Sequence, residues 1–121
     1  MTAYFSAMAT AEEIYDAAIE LFAEGKHAEA IDAYRKALEI DPGFLDALHG
    51  LAIAQAENGD LAAAIETAKR IIESSPDDPL GYTSLSMFYQ RNGQIAEAEA
   101  AAGQARIREW KQQLRKPGDE K

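Results

Sequence analysis

From Thr10 onward, short amphipathic stretches alternate with brief polar or glycine-containing breaks. Ile14, Ala17, Ala18 and Leu21 fall at i, i+3, i+4 and i+7, the spacing that lines one face of a helix. Thr10 precedes this core stripe and Glu13 follows three residues later, the pattern of a capping box, so a helix is expected to start there. Gly25 permits a sharp turn after it. A second stripe, Ala30, Ile31, Tyr34, Ala37 and Leu38, predicts a second helix. It stops at Asp41-Pro42-Gly43, because Pro cannot continue a helix and restrains the residue before it. A similar pair is expected from about Leu45 to Ser75. A third opens at Asp78-Pro79, an N-cap followed by Pro in the first turn.

The pairs are copies of one unit. Gly25, Gly59 and Gly93 are spaced by 34 residues, as are Ala30, Ala64 and Ala98, and Pro42 matches Pro76. Segments 28–34, 62–68 and 96–102 align on these markers without a gap. The last unit departs at its end, where Trp110 stands in the place of the closing Pro. Its second helix is therefore expected to run from Ile95 to about Lys116, ending at Pro117-Gly118.

These residues resemble the tetratricopeptide repeat family, whose 34-residue unit follows W-x2-L-G-x2-Y, then A-x3-F, A and P. Ala30, Tyr34, Ala37 and Pro42 satisfy the second half in the first unit. Leu51, Ala64 and Pro76 match in the second, and Tyr82, Leu85, Tyr89, Ala98 and Ala105 in the third. Ala18, Ala52 and Ser86 supply the small residue for close helix approach. Gln55, Ala68 and Ala102 replace packing aromatics, so the core is expected to thin in the last two units. The resemblance implies an all-α fold, a right-handed superhelical stack of three helix–turn–helix repeats with an extended C-terminal helix. The boundaries expected are an N-terminal segment at 1–10, one domain at 11–116 with repeats 11–44, 45–78 and 79–112, and a disordered tail at 117–121.

The first helix carries more apolar surface than one packed face requires. Tyr15, Ile19 and Phe22 form a second stripe at i, i+4 and i+7, rotated by about 120° from the core stripe. Together the two cover about 200°, where packing on one side needs little over 100°. In the tetratricopeptide repeat family this second stripe lines a concave, peptide-binding groove. Carried over by position, the partner-binding residues are Tyr15, Ile19, Phe22, His49, Ile53, Met87 and Gln90, bordered by Glu12, Asp16, Asp46, Glu57 and Arg91. Three coverings are open: a partner's apolar segment flanked by basic residues, the chain's own Tyr4, Phe5 and Met8 folded back, or a second copy. Family members that clamp the acidic tails of heat-shock chaperones use Lys, Asn, Asn, Lys and Arg here. This chain has Tyr15, Ile19, Gly50, Leu80 and Ser84, so no such clamp is expected.

Charge and composition narrow the function further. The formal charge is −9; residues 1–100 hold 18 acids against 6 bases, and residues 101–121 hold 3 acids against 6 bases. An acidic body repels phosphate, which argues against nucleic acid as a partner. The basic C-terminal helix carries Ile107, Trp110 and Leu114 at i, i+3 and i+7, a solubilising cap, a self-association face or, on a weaker signal, a contact for an anionic surface or nucleic acid. Cysteine is absent, and the two histidines, His27 and His49, lie in different repeats, so neither a metal site nor a cofactor is expected. Paired acids such as Glu12-Glu13 and Asp77-Asp78 stand at helix starts, where they suit the dipole better than catalysis. No enzyme activity is expected. No apolar run approaches the roughly 20 residues of a membrane span, and no basic leader precedes Tyr4-Phe5, so the expected location is the cytoplasm. The predicted function is an interaction module or small adaptor; the alternative is a homo-oligomeric structural subunit.

Overall fold

The computed structural model describes residues 9–115, which form six α-helices and, among these residues, no strand. They are α1 (Ala11–Ala23), α2 (His27–Ile40), α3 (Leu45–Glu57), α4 (Leu61–Ser74), α5 (Pro79–Arg91) and α6 (Ile95–Leu114). The fold-back of Tyr4, Phe5 and Met8, the last turn to Lys116 and the tail at 117–121 lie outside the described residues. Backbone packing groups the chain into two compact units divided between Thr67 and Ala68, inside α4. In the first unit α1 packs on α2 and α2 on α3; in the second, α5 packs on α6.

Side chains cap the starts of α1 and α5. Thr10 Oγ1 accepts the Glu13 amide at 3.1 Å while Glu13 Oε1 accepts the Thr10 amide at 2.9 Å, closing the capping box. Asp78 caps α5 by accepting the Leu80 amide at 3.0 Å, with Pro79 in the first turn, where its missing N–H costs nothing. α2 ends at Ile40, and Asp41 Oδ1 then accepts the Gly43 amide at 3.2 Å across the Pro42 turn.

Three hairpins share one turn. Gly25, Gly59 and Gly93 have φ of 81°, 88° and 80°, the left-handed region that L side chains avoid. In each, the glycine amide donates to a carbonyl three residues back and the next amide to one five back: Gly25 to Phe22 and Lys26 to Leu21, both at 2.9 Å. This is a Schellman cap, which satisfies the orphan carbonyls at the helix end and turns the chain at once. A Cβ at any of the three would meet nothing within 4 Å, so the requirement is conformational rather than steric. Each Gly→Ala change is expected to cost about 1 kcal/mol in urea unfolding. Unchanged midpoints for all three would contradict the assignment.

The cores differ from repeat to repeat. In the first unit Tyr34, Leu38, Leu48 and Leu51 are buried. Gly50 lets α3 approach α2 closely; a Cβ there would lie 2.8 Å from Tyr34 Oη and closer still to the ring. Ile14 and Ala18 are buried as the stripe predicts, but Ala17 and Leu21 are only half-buried. The expectation that all four are core is corrected: no described helix packs ahead of α1 to cover them. At the expected thin spot, Gln55 is buried and accepts a 2.7 Å hydrogen bond from Thr67 Oγ1, a polar pair where the first repeat has Leu21 and Ala33. In the second unit Phe88 is fully buried, and Ile71 and the small Ala98, Ala101 and Ala105 are nearly so.

Candidate functional site

Within the first unit the predicted groove residues have different environments. Tyr15 is half-buried in an aromatic cluster, its ring 4.9 Å from Phe44 and 6.0 Å from Tyr34. Burial first, then the carboxylates of Asp46 and Asp16, push its hydroxyl above the ordinary tyrosine range. Two of the acids assigned to the groove border therefore act electrostatically on its aromatic member. Phe22 is half-buried against His27, with ring centroids 5.1 Å apart, and His49 is also half-buried. Ile19 and Ile53 are 42% exposed. In the second unit Met87 is 44% exposed and Gln90 is exposed; both line a shallow concavity of about 290 Å³ with Thr83, Ser86, Ala102 and Arg106.

Ile19, Ile53 and Met87 occupy one repeat position, 34 residues apart, on three successive first helices. An apolar side chain thus stays in water at the same place in every unit. The neighbouring position on the third turn behaves differently: Phe22 is partly covered, Ala56 is buried and Gln90 is polar.

A family model described as tetratricopeptide repeat matches residues 21–87, more than half of the chain. The chain belongs to the tetratricopeptide repeat family. This tetratricopeptide repeat chain is 32% identical over 77 residues to a photosystem I assembly protein, Ycf3, of Synechococcus sp. (strain CC9605), covering 61% of the chain and 44% of that relative. It therefore spans under half the length of that curated relative. The structure of MamA superposes with a TM-score of 0.81 at 26% identity, over 87% of this chain and 61% of MamA. The Yersinia enterocolitica type III secretion chaperone SycD, in complex with a peptide of the translocator YopD, superposes with a TM-score of 0.75 at 20% identity, over 80% and 74% of the two chains. That second likeness is one of fold.

Of the five positions that clamp acidic tails in other tetratricopeptide repeat proteins, Gly50 has no room for any side chain beyond hydrogen, because Tyr34 fills the space. Leu80 is half-exposed and apolar. His27 rests on Phe22 at the start of α2, and among the described residues no three of His, Asp and Glu gather as a metal-holding group. No described helix is long and apolar enough to cross a membrane.

On α6, Ile107, Trp110 and Leu114 are exposed by 47%, 67% and 66%. Their basic neighbour Arg108 is not part of a solvated charge face. Its guanidinium lies 4.2 Å from the Tyr82 ring centroid and donates to the Pro76 carbonyl at 2.6 Å and to Gln104 Oε1 at 2.7 Å. Sequence pattern alone did not single out Arg108 or Phe44. Phe44, an apolar residue directly after the Pro42-Gly43 turn, carried a signal in its position. Trp110 is the chain's one tryptophan, so dilute protein is expected to show red-shifted emission and ready quenching by acrylamide. Blue-shifted, protected emission from the monomer would contradict this placement.

Proposed function

We propose that the chain is a protein-interaction module that holds an apolar, basic-flanked peptide or helix against α1 and α3 of its first unit. The observation that carries this is the recurrence of Ile19, Ile53 and Met87 at one repeat position, each between 42% and 44% exposed. Apolar surface in water is unfavourable by about 25 cal/mol per Å², and a partner's apolar side chains relieve it. Asp16 and Asp46 lie close enough to raise the Tyr15 hydroxyl, and their field favours Lys or Arg in the partner while repelling acidic tails. Relatives named for photosystem I assembly support an adaptor role of the assembly kind, a temporary hold on one subunit of a larger complex. The proposal assigns the chain no catalytic step.

The test uses labelled amphipathic peptides with Leu/Ile/Phe anchors, flanked either by lysines or by glutamates, followed by fluorescence anisotropy. The lysine-flanked peptides are expected to bind, more weakly as salt rises, and the glutamate-flanked ones to fail. Ile53→Glu is expected to weaken binding at least tenfold with helicity unchanged. Equal binding by Ile53→Glu, or no preference for lysine flanks, overturns the assignment. A second reading, a subunit that assembles with its own copies, is favoured by the exposure of Trp110 and Leu114.

A further inference from the structure

The last turns of α6 have no counterpart elsewhere in the chain. α2 ends at Ile40 and α4 at Ser74, and both correspond by repeat to Arg108. Residues 109–114 are therefore a helical overhang, and it carries Trp110 and Leu114, the two most exposed of the large apolar side chains. Ile107 continues the stripe, with Arg106 and Lys111 beside it around a shallow hollow at Gly103. An exposed indole costs free energy in water, and at 67% exposure Trp110 adds little to the packing of its own unit.

Among the described residues, a matching hollow lies on the first hairpin. Ile14, Ala17 and Leu21 of α1 and Ala33 of α2 line a pocket of about 230 Å³, with Glu29, Asp32 and Lys36 at its rim. One repeat later the equivalent residues, Leu48, Leu51, Gln55 and Thr67, are 1% to 4% exposed, and there α2 packs against α3. The same face of α1 has no described helix ahead of it. Among the described residues, α1 thus leaves open a surface that on α3 is covered.

We propose that this pocket receives the α6 overhang of a second copy of the chain, with Trp110 as the anchor. The charges are complementary: Arg106 and Lys111 of the incoming helix meet Glu29 and Asp32, and Glu109 meets Lys36. The imbalance of the whole sequence has the same sense, 18 acids against 6 bases in residues 1–100 and the reverse excess in residues 101–121. Donor and acceptor surfaces are different, so the contact is heterologous and a pair of copies keeps one free surface of each kind. The inference does not depend on the groove; it fails or stands separately from peptide binding at Ile53.

The test reads the sole tryptophan and the mass in solution. Wild type is expected to associate with concentration in sedimentation velocity, with a blue shift of Trp110 emission, and to dissociate as salt rises. Trp110→Glu loses the anchor. Ala17→Arg fills the pocket and repels the incoming bases, and Asp32→Lys, at an exposed position, checks the charge without disturbing packing. Each variant with native helicity is expected to weaken self-association at least tenfold. Mixed, Trp110→Glu and Ala17→Arg retain one good surface each and are expected to form a heterodimer that grows no further. In that mixture only Ala17→Arg contains tryptophan, so its emission shifts blue when the partner is added. The proposal is overturned if wild type stays monomeric at high concentration, if the mixture does not associate, or if Ala17→Arg and Asp32→Lys alone associate as wild type does. That last outcome would assign the contact to α6 against α6. A monomer whose association appears only when residues 1–8 are deleted would instead make that segment the pocket's occupant.

Discussion

Leu51→Glu is expected to abolish cooperative unfolding of the first unit, while Ile53→Glu leaves it within about 0.5 kcal/mol of wild type. The two positions are two residues apart on α3, a rotation of about 200° on a helix. Leu51 is 3% exposed, beside Leu48 and close to the tight α2–α3 contact at Gly50. A carboxylate there must either stay charged without a partner or take up a proton, and both routes cost several kcal/mol against a stability of about 5–15. Ile53 is 42% exposed, and its carboxylate replacement stays hydrated. Urea unfolding followed by circular dichroism decides the matter. Equal destabilisation by both would mean that the outward stripe is core.

Phe88→Ala carries the second large effect. Phe88 is fully buried and is the largest side chain so enclosed. Three of the other buried side chains of the second unit, Ala98, Ala101 and Ala105, are too short to repack into a phenyl-sized void, which leaves Ile71 and Leu85 as the larger ones. A loss of about 3–5 kcal/mol is expected, enough to unfold the unit near room temperature. Phe88→Leu, which keeps most of the volume, should cost clearly less. A small loss for alanine would show that the neighbouring helices collapse onto the gap.

The helices were legible because three periodic signals coincide: the 3.6-residue apolar stripe, the capping residues and the 34-residue recurrence of glycine. Thr10, Asp78 and the three turn glycines do in the structure what their residue types require. Phe88 escaped because its repeat counterparts are Glu20 and Ala54, so comparison of units leaves it unmarked. Arg108 looked like one base among several, since nothing in a linear pattern shows that Tyr82 and the Pro76 carbonyl come within its reach. At the site, the outward positions of Ile19, Ile53 and Met87 could be read from helical geometry. The aromatic cover on Tyr15 could not, because Phe44 reaches it from across a turn. Residues of α1 that pattern assigns to the core, Ala17 and Leu21, are half-open for a reason no local pattern contains: burial there depends on a neighbouring helix.

Three hairpins of similar sequence create a hazard during folding, because one unit's first helix can pair with another's second. The hydrogen bond from Thr67 to Gln55 bears on that problem. By repeat correspondence, α3 paired wrongly with α6 would set Gln55 against Ala101, and α1 paired with α4 would set Thr67 against Leu21. Neither apolar residue offers a donor or acceptor, and a buried polar group left unmatched costs about 1–3 kcal/mol. The correct hairpin satisfies both groups at once. A buried polar contact that adds little net stability to the native fold can thus raise the energy of its nearest competitors, and act as a pairing key among parts built to one pattern.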